Sequence, residues 1–266
     1  MLRFFRSARA EAPDLSDRPP PSVGEDRRIY AVGDVHGRLD LLRELIDKIA
    51  ADDWARGPVS STELVLLGDY VDRGPQSAQV IDFIVRLARW WPNLHCLMGN
   101  HEEVFLLALR GDESALRFMT RIGGRETILS YGIEAEALDA MTLGQLRDAL
   151  SEIVPDDHVA FLAGLGEQIS FGDYAFVHAG VRPGVPLDSQ EPKDLRWIRD
   201  EFLESDVPHE RFIVHGHSIT EEVEVLSNRI GIDTGAYATG RLTAIGLEGT
   251  EHWFLTTGGD TAYPRG

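Results

Sequence analysis

The sequence predicts a mixed α/β fold in which helices flank sheets of parallel and antiparallel strands. Beginning at Arg28, apolar runs rich in β-branched residues alternate with segments whose apolar residues recur at helical spacing. Later in the chain, short apolar runs follow one another with only glycine and polar residues between them. Alternating strands and helices indicate βαβ units and a parallel sheet, whereas closely spaced strands indicate antiparallel pairing.

Three strand–helix pairs are predicted in the first half of the chain. The strands are the runs RIYAVGD, ELVLLGD and NLHCLMG, which have the apolar character of buried strands. The helices that follow them are LDLLRELIDKIA, SAQVIDFIVRLARWW and HEEVFLLALRG, in which apolar residues return every three or four positions. These pairs predict parallel strands joined by helical crossovers.

A helical insert and a second group of strands are predicted in the rest of the chain. Helical spacing continues from about residue 114 to 165, with an interruption at Gly123 and Gly124. EQISFGDYAFVHAG then predicts two strands across a Gly-Asp turn, and RFIVHGH predicts another. We expect EVEVLSNRIGID, RLTAIGLEG and EHWFLTT to form a closing antiparallel meander.

The domain organisation follows from length and local composition. Residues 1–27 are rich in proline and acidic side chains, which predicts a flexible leader. Residues 28–257 are predicted to form a single domain, and residues 258–266 a tail. A chain of this size is long enough to bury one large core.

Charge and cysteine content limit the environment and the partners. The net charge of −18 argues against nucleic acid and anionic membranes as partners. A single cysteine, Cys96, rules out an intramolecular disulfide and suits a reducing compartment. No stretch of the sequence approaches the roughly 20 apolar residues of a membrane span. We therefore expect a cytoplasmic protein, and the sequence leaves its oligomeric state open.

Five predicted strands end in polar residues of the kinds that bind metal ions and phosphate. In an open α/β sheet, ligands bind outside the carboxyl ends of the strands, so these side chains should meet at one rim. Each Gly-Asp or Gly-Asn pair taken alone is more often a simple turn, but the ordered set is specific. The residues are Asp34 and His36, then Asp69, Asp72 and Arg73, then Asn100 and His101, then His178, and finally His215 and His217.

The chemistry of these side chains predicts a centre with two metal ions. Carboxylates and imidazoles without thiolates suit Mn²⁺, Fe or Zn²⁺, and the number of donors is sufficient for two ions. Two neighbouring divalent ions are a common device for phosphoryl hydrolysis. Asp69 is the natural candidate for a carboxylate that binds both ions, and Arg73 offers a planar donor to phosphate oxygens.

The ordered motifs GDVHG, GDYVDRG, GNHE, HAG and GH resemble those of the calcineurin-like metallophosphoesterases. Within that group they are most similar to the phosphoprotein phosphatases, and especially to the compact bacterial and bacteriophage serine/threonine protein phosphatases. The resemblance runs from about Ile29 to Leu247. It implies a β-sandwich of mixed sheets flanked by helices, with a dinuclear metal site for which Mn²⁺ is the leading ion.

The resemblance also implies a role for each matching metal ligand. His215 lies just before the motif glycine, so a structural role is expected for it. The implied ligands are Asp34 and His36 for the first ion, Asn100, His178 and His217 for the second, and Asp69 for both.

The same resemblance implies which residues handle the substrate. His101 would donate a proton to the leaving oxygen, and Asp72 would orient it. Arg73 would hold the phosphate. A second phosphate-binding arginine matches Arg199, two residues after the tryptophan of LRWIRDEFL, with Arg196 as the competing choice.

Two substrate classes follow from the resemblance. The leading interpretation is a serine/threonine protein phosphatase acting on phosphoproteins or phosphopeptides, and the alternative is a bis(5'-nucleosyl)-tetraphosphatase on the same fold. Symmetrically cleaving tetraphosphatases tend to have GDLVARG and GNHD, whereas this chain has Asp72 and Glu102. These two residues therefore favour the protein phosphatase.

The predicted insert bears on the same choice. Arg117, Arg121 and Arg125 recur every four residues, so an unbroken helix would place them on one face. Such a stripe over the metal rim would attract acidic phosphopeptides or the extra phosphates of a nucleotide. A nucleotide site also needs a stacking platform for the base, and only Phe118 and Tyr131 are close enough in sequence to provide one.

Overall fold

A computed structural model of the chain describes residues 19–258, and its first sheet is centred on a buried strand. This strand pairs in parallel with one neighbour and antiparallel with the other, as expected for a mixed sheet. The strand order is β10 (Glu251–Thr256), β9 (Thr243–Glu248), β1 (Arg27–Val32), β2 (Ser61–Leu66) and β3 (Leu94–Cys96).

The second sheet also has five strands, and its three central strands are parallel. Its two edge strands are antiparallel to their neighbours. The strand order is β4 (Gln168–Phe171), β5 (Tyr174–Val177), β6 (Phe212–His215), β8 (Arg229–Gly231) and β7 (Glu224–Val225).

The prediction of one closing meander was wrong, because its strands divide between the two sheets. β7 and β8 pair with each other inside the second sheet, where β8 also pairs in parallel with β6. β9 and β10 form a hairpin that returns to the first sheet beside β1. Strands of two or three residues carry too little alternation to reveal which sheet they join.

Alternate side chains of β1 explain how the layers stack. Tyr30 and Val32 pack with Leu42 of α1 in one buried cluster. Ile29 and Ala31 point the other way and pack with residues of the second sheet. Since both faces of the first sheet are covered, the last four residues of β1 and the last three of β2 are apolar, and the molecule is a β-sandwich with helices on the outside. This confirms the predicted fold class.

The three predicted strand–helix pairs are present. The second helix ends at Leu87, before the two tryptophans of its predicted range. The third begins directly at Asn100, so the predicted ligand lies in its first turn. These helices are α1 (Leu39–Arg56), α2 (Ser77–Leu87) and α3 (Asn100–Leu109).

The middle of the chain is helical, and it packs with α2 and α3 around a hydrophobic cluster that includes Leu116, Met119 and Ile128. Gly123, with φ of +108°, separates the first two helices of this region. The three predicted arginines therefore do not share one helix face. The helices are α4 (Glu113–Arg121), α5 (Gly124–Ser130), α6 (Ala135–Ala140), α7 (Leu143–Ile153) and α8 (Asp156–Ala163).

The described end of the predicted leader packs against the domain. The side chain of Val23 is fully buried, and its N–H donates to the carbonyl of Gly249 at 3.0 Å. The N–H of Ser22 donates to the carboxylate of Asp173 at 2.9 Å. Residues 1–18 of the leader and 259–266 of the tail lie outside the described residues. Between residues 19 and 258, no helix combines the length and apolar character needed to cross a bilayer.

Candidate metal centre and active site

The strand ends that meet at the rim have unusual backbone conformations. Within residues 19–258, six residues other than glycine have a positive φ, and five of them are predicted site residues. Such conformations are costly for side chains with a Cβ and concentrate at functional sites. The five are His36 (φ +44°), Asp69 (+49°), Asp72 (+70°), Arg73 (+68°) and His217 (+64°).

The first cluster groups the candidate metal ligands His36 and Asp69 with His101, which the resemblance assigns to proton donation. Nε2 of His36 lies 3.5 Å from Asp69 Oδ2, and Nε2 of His101 lies 3.9 Å from the same oxygen. The other ring nitrogen of His36 donates to the carbonyl of Val71 at 2.8 Å. This bond leaves Nε2 with its lone pair toward the cluster, and that buried atom has no hydrogen-bond partner among the described residues.

The second cluster consists of Asp69, His178 and His217. Nε2 of His178 lies 3.4 Å from Asp69 Oδ1, 3.2 Å from Nδ1 of His217 and 3.1 Å from Oδ1 of Asn100. Nδ1 of His178 donates to the carbonyl of Leu67 at 3.0 Å, so Nε2 has no proton to share. Electron-pair donors that face one another in this way fit a bound cation.

Asp69 belongs to both clusters, as expected of a carboxylate that binds two ions. Burial alone would raise its pKa, but the surrounding imidazoles hold the pKa of Asp69 below its ordinary value. Burial lowers the pKa of His36 and His178, and it lowers that of His217 to about 2. Neutral imidazoles around an ionised carboxylate are the protonation states that metal ligation requires.

Asp34 belongs to neither of the two clusters, but it contacts the backbone of His217. Its carboxylate oxygens accept from the N–H of His217 at 3.2 and 3.0 Å. A Cβ at Gly216 would lie 2.1 Å from one of these oxygens, so the motif glycine permits this approach. Burial, with the neighbouring Asp233 and Asp69, raises the pKa of Asp34.

Asp233 is a site residue that the motif analysis missed. It is buried two residues after the end of β8, and its Oδ2 has no hydrogen-bond partner within residues 19–258. Burial raises the pKa of Asp233 to about 6. Asp233 is the last residue of the predicted strand EVEVLSNRIGID, where it follows an apolar run as Asp34 and Asp69 do.

His101 and Asp72 form a buried pair suited to proton donation. Nδ1 of His101 lies 2.6 Å from Oδ2 of Asp72. Burial lowers the pKa of His101, but Asp69 and Asp72 more than offset this, so that pKa lies above its ordinary value. The opposite nitrogen, Nε2, lies 3.1 Å from Nη2 of Arg73, and since a guanidinium only donates, Nε2 accepts this hydrogen bond.

The two candidate phosphate-binding arginines differ from Arg196 in their surroundings. The guanidinium of Arg73 stacks on the ring of Tyr237, with 4.9 Å between its Cζ and the ring centroid. Arg199 is exposed beside Ser218, and it has no ion pair among residues 19–258. Arg196 instead pairs with Glu103 at 2.9 Å and with Glu167. This geometry leaves Arg199, rather than Arg196, available to a ligand.

Glu102 binds the backbone of the turn that carries Asp69. Its carboxylate accepts the backbone N–H groups of Asp69, Tyr70, Val71 and Gly99 at 2.7–3.1 Å. These bonds hold the turn in which Asp69 has its left-handed conformation. Glu102 therefore contacts the backbone of the metal-binding loop rather than the rim.

His215 has the structural role expected for it. It packs edge-on against Phe202 with 5.0 Å between ring centroids, and Nδ1 contacts the carbonyl of Gly216 at 3.0 Å. Burial lowers its pKa to about 4. The imidazole is thus a neutral core residue behind the site.

These donor clusters, with guanidinium groups beside them, define a metal-dependent phosphoesterase. The chain is 26% identical over 241 residues to bis(5'-nucleosyl)-tetraphosphatase PrpE (asymmetrical) of Anoxybacillus flavithermus, covering 80% of this chain and 88% of that protein. It is 24% identical to serine/threonine-protein phosphatase 2 of Escherichia coli, covering 82% and 91%. The cold-active protein-tyrosine phosphatase of a Shewanella species has the same fold, with a TM-score of 0.53, 21% identity and coverage of 91% and 83%.

The model of the calcineurin-like phosphoesterase family matches residues 27–245, and the chain belongs to that family. It is therefore a hydrolase and a metallophosphoesterase, and its family binds two divalent metal ions. The resemblance inferred from the strand-end motifs is confirmed.

Proposed function

We propose that this metallophosphoesterase hydrolyses phosphoserine and phosphothreonine in proteins. The observation that carries the proposal is the contact of 2.6 Å between Nδ1 of His101 and Asp72. The leaving group of a phosphoserine is a poor one, an alkoxide that needs a proton as the P–O bond breaks. A buried imidazole paired with a carboxylate supplies that proton, a contribution of typically 10²–10⁴-fold.

The residues fit two divalent ions. We propose that both ions are Mn²⁺, because oxygen and imidazole nitrogen donors suit it. His36, Asp69, His178 and His217 would hold them, with Asp34 and Asn100 completing the set. When bound, the ions activate water and polarise the phosphate.

The protein side chains around the ions have separate tasks. Arg73 and Arg199 would bind the phosphate oxygens and stabilise their charge in the transition state. Stacking on Tyr237 keeps the Arg73 guanidinium in place. Once Arg73 binds the phosphate instead of Nε2, His101 would carry a proton on Nε2 and transfer it to the departing oxygen, while Asp72 keeps the ring oriented through Nδ1.

A second candidate is hydrolysis of dinucleoside tetraphosphates, the activity named for the PrpE relative. It is supported by an aromatic pair beside Arg199, in which Phe118 and Trp197 have ring centroids 6.1 Å apart. Trp197 also lines an open groove of about 530 Å³. The charged side chains of this groove are Arg182, Lys193 and Arg199 together with Glu191, Asp194, Asp200 and Glu201. A half-buried Trp197 beside an exposed Phe118 can stack on a base, whereas the acidic side chains of the groove would repel its phosphates. Glu102 no longer separates the two candidates, because its carboxylate binds backbone N–H groups.

The arginines of the helical region also fit acidic substrates less well than an unbroken stripe would. Arg125 is paired with Asp139 at 2.6 Å, and Arg117 lies 3.6 Å from Glu113. Reversing the charge of Arg117 and Arg121 together tests whether the remaining positive charge raises affinity for acidic peptides. We expect a higher KM for acidic phosphopeptides and an unchanged KM for small aryl phosphates.

A paired substrate comparison tests the proposal. The full chain with Mn²⁺ is assayed on phosphoserine peptides and on diadenosine tetraphosphate under the same conditions. We expect the peptides to have the higher kcat/KM. A preference of tenfold or more for diadenosine tetraphosphate would replace the proposal by the second candidate.

A further inference from the structure

Thr127 contacts the proton-donor pair from a part of the chain far away in sequence. It lies on α5 and is fully buried. Its Oγ1 lies 2.6 Å from Oδ1 of Asp72, the carboxylate oxygen that does not contact His101. The same hydroxyl accepts the backbone N–H of Asp72 at 2.8 Å. One side chain of the helical region therefore binds both the carboxylate and the backbone of Asp72.

The number of hydrogens that each group carries fixes the direction of these bonds. A hydroxyl has a single hydrogen, and the carboxylate of Asp72 can only accept while it is ionised. Thr127 therefore donates to Asp72 Oδ1. The hydroxyl of Ser77, 2.9 Å from Thr127 Oγ1, is left to donate to Thr127. With Oδ1 bound by Thr127, the remaining oxygen, Oδ2, faces His101 Nδ1.

The helical region also secures the strained backbone at this point. Asp72 and Arg73 both have φ near +70°. The N–H of Asp72 is bound by Thr127 and Ser77, and that of Arg73 donates to the carbonyl of Gly123 at 2.8 Å. A strained conformation persists only where surrounding contacts enforce it. Gly123 and Thr127 flank the start of α5, so this helix terminus provides much of that enforcement.

We propose that Thr127 is a positioning residue for the proton transfer, holding the Asp72 carboxylate so that Oδ2 orients the His101 ring. The inference rests on the proposed role of His101 as proton donor. It gives the helical region a catalytic purpose besides covering the core, because the orientation of the acid depends on where α5 is docked.

Thr127 could instead be a purely structural contact that docks α5, and Ser130 provides the matched comparison. Ser130 lies one turn further along α5, where its hydroxyl accepts the N–H of Ala78 at 3.0 Å and donates to the carbonyl of Thr127 at 2.7 Å. It thus ties the same helix to the start of α2 without touching Asp72. A docking role would make the two residues equivalent, and a positioning role would not.

The test compares two substrates in variants of the full chain with Mn²⁺. Phosphoserine peptide needs a proton at the leaving oxygen, whereas 4-nitrophenyl phosphate has a good leaving group that does not. We expect Thr127→Val to lower kcat for the peptide about tenfold or more, with kcat for 4-nitrophenyl phosphate within about threefold and KM unchanged for both. Thr127→Ser should restore the peptide activity, and Ser130→Ala should change both substrates equally.

The controls separate the possible failures. His101→Asn is measured in parallel, and an equal loss on both substrates in that variant would remove the proposed proton-donor role itself. If His101→Asn is selective but Thr127→Val lowers both activities equally, or Thr127→Ser fails to restore the peptide activity, the positioning role is wrong. Thr127→Ala replaces Thr127→Val if the valine variant does not fold, and it is judged by the same ratio of the two substrates.

Discussion

Nη2 of Arg73 lies 3.1 Å from Nε2 of His101, so the proposed phosphate-binding group and the proposed proton donor lie side by side at the rim. The guanidinium is held from behind by Tyr237, and the imidazole is held from behind by Asp72. A phosphate bound by Arg73 would therefore place its leaving oxygen near the His101 ring.

Asp69→Asn should lose bound metal and activity together, because this carboxylate is the residue shared by both clusters. An amide offers one neutral oxygen in place of two charged ones. Elemental analysis of the purified variant, beside its rate on 4-nitrophenyl phosphate, checks the expectation. Two ions retained per chain would contradict the bridging role.

His101→Asn should keep its metal and lose rate selectively. Esters with poor leaving groups should slow by about 10²-fold or more, while aryl phosphates with good leaving groups should slow much less. A series of phenyl phosphates with graded leaving groups measures this as a steeper dependence of log kcat on leaving-group pKa. An unchanged slope would assign the proton to another group.

Arg199→Ala and Arg196→Ala should have opposite signatures. Arg199 has no ion pair in the described part of the chain, so its loss should raise KM for phosphate esters and leave the free energy of unfolding unchanged. Arg196 is largely buried and paired with Glu103 and Glu167, so its loss should lower the free energy of unfolding by about 1–3 kcal/mol. Urea unfolding and steady-state kinetics on both variants decide between them, and the reverse pattern would exchange the two assignments.

Glu102→Gln should weaken metal binding without removing a ligand. The carboxylate accepts four backbone N–H groups, and a glutamine amide would turn an N–H₂ group toward two of them. We expect a loss of about 1–3 kcal/mol in the free energy of unfolding and a higher dissociation constant for Mn²⁺. Calorimetric titration with Mn²⁺ measures the second effect. Unchanged affinity in a destabilised variant would show that the loop conformation does not depend on Glu102.

The rim could be predicted because each motif residue lies within a few residues of a strand end, and the position of a strand end is set by its sheet. Thr127 was missed because the bond to Asp72 joins residues 55 positions apart, and no local pattern encodes such a contact. Asp233 was missed for a different reason, since the strand before it has only three residues. The same shortness concealed the division of the last four strands between the sheets, because pairing over long sequence separations is decided by packing.

The two clusters draw on the sandwich differently. His36, Asp69 and His101 all follow strands of the first sheet, whereas His178 and His217 follow β5 and β6 of the second. An ion in the first cluster would brace one layer, and an ion in the second would cross-link the two layers. A ligand that binds only the folded state stabilises that state. Metal bound at the second cluster would therefore raise the free energy needed to separate the two sheets. The proposed metal centre would thus also join the two sheets, and the strength of that connection would depend on the metal concentration around the protein.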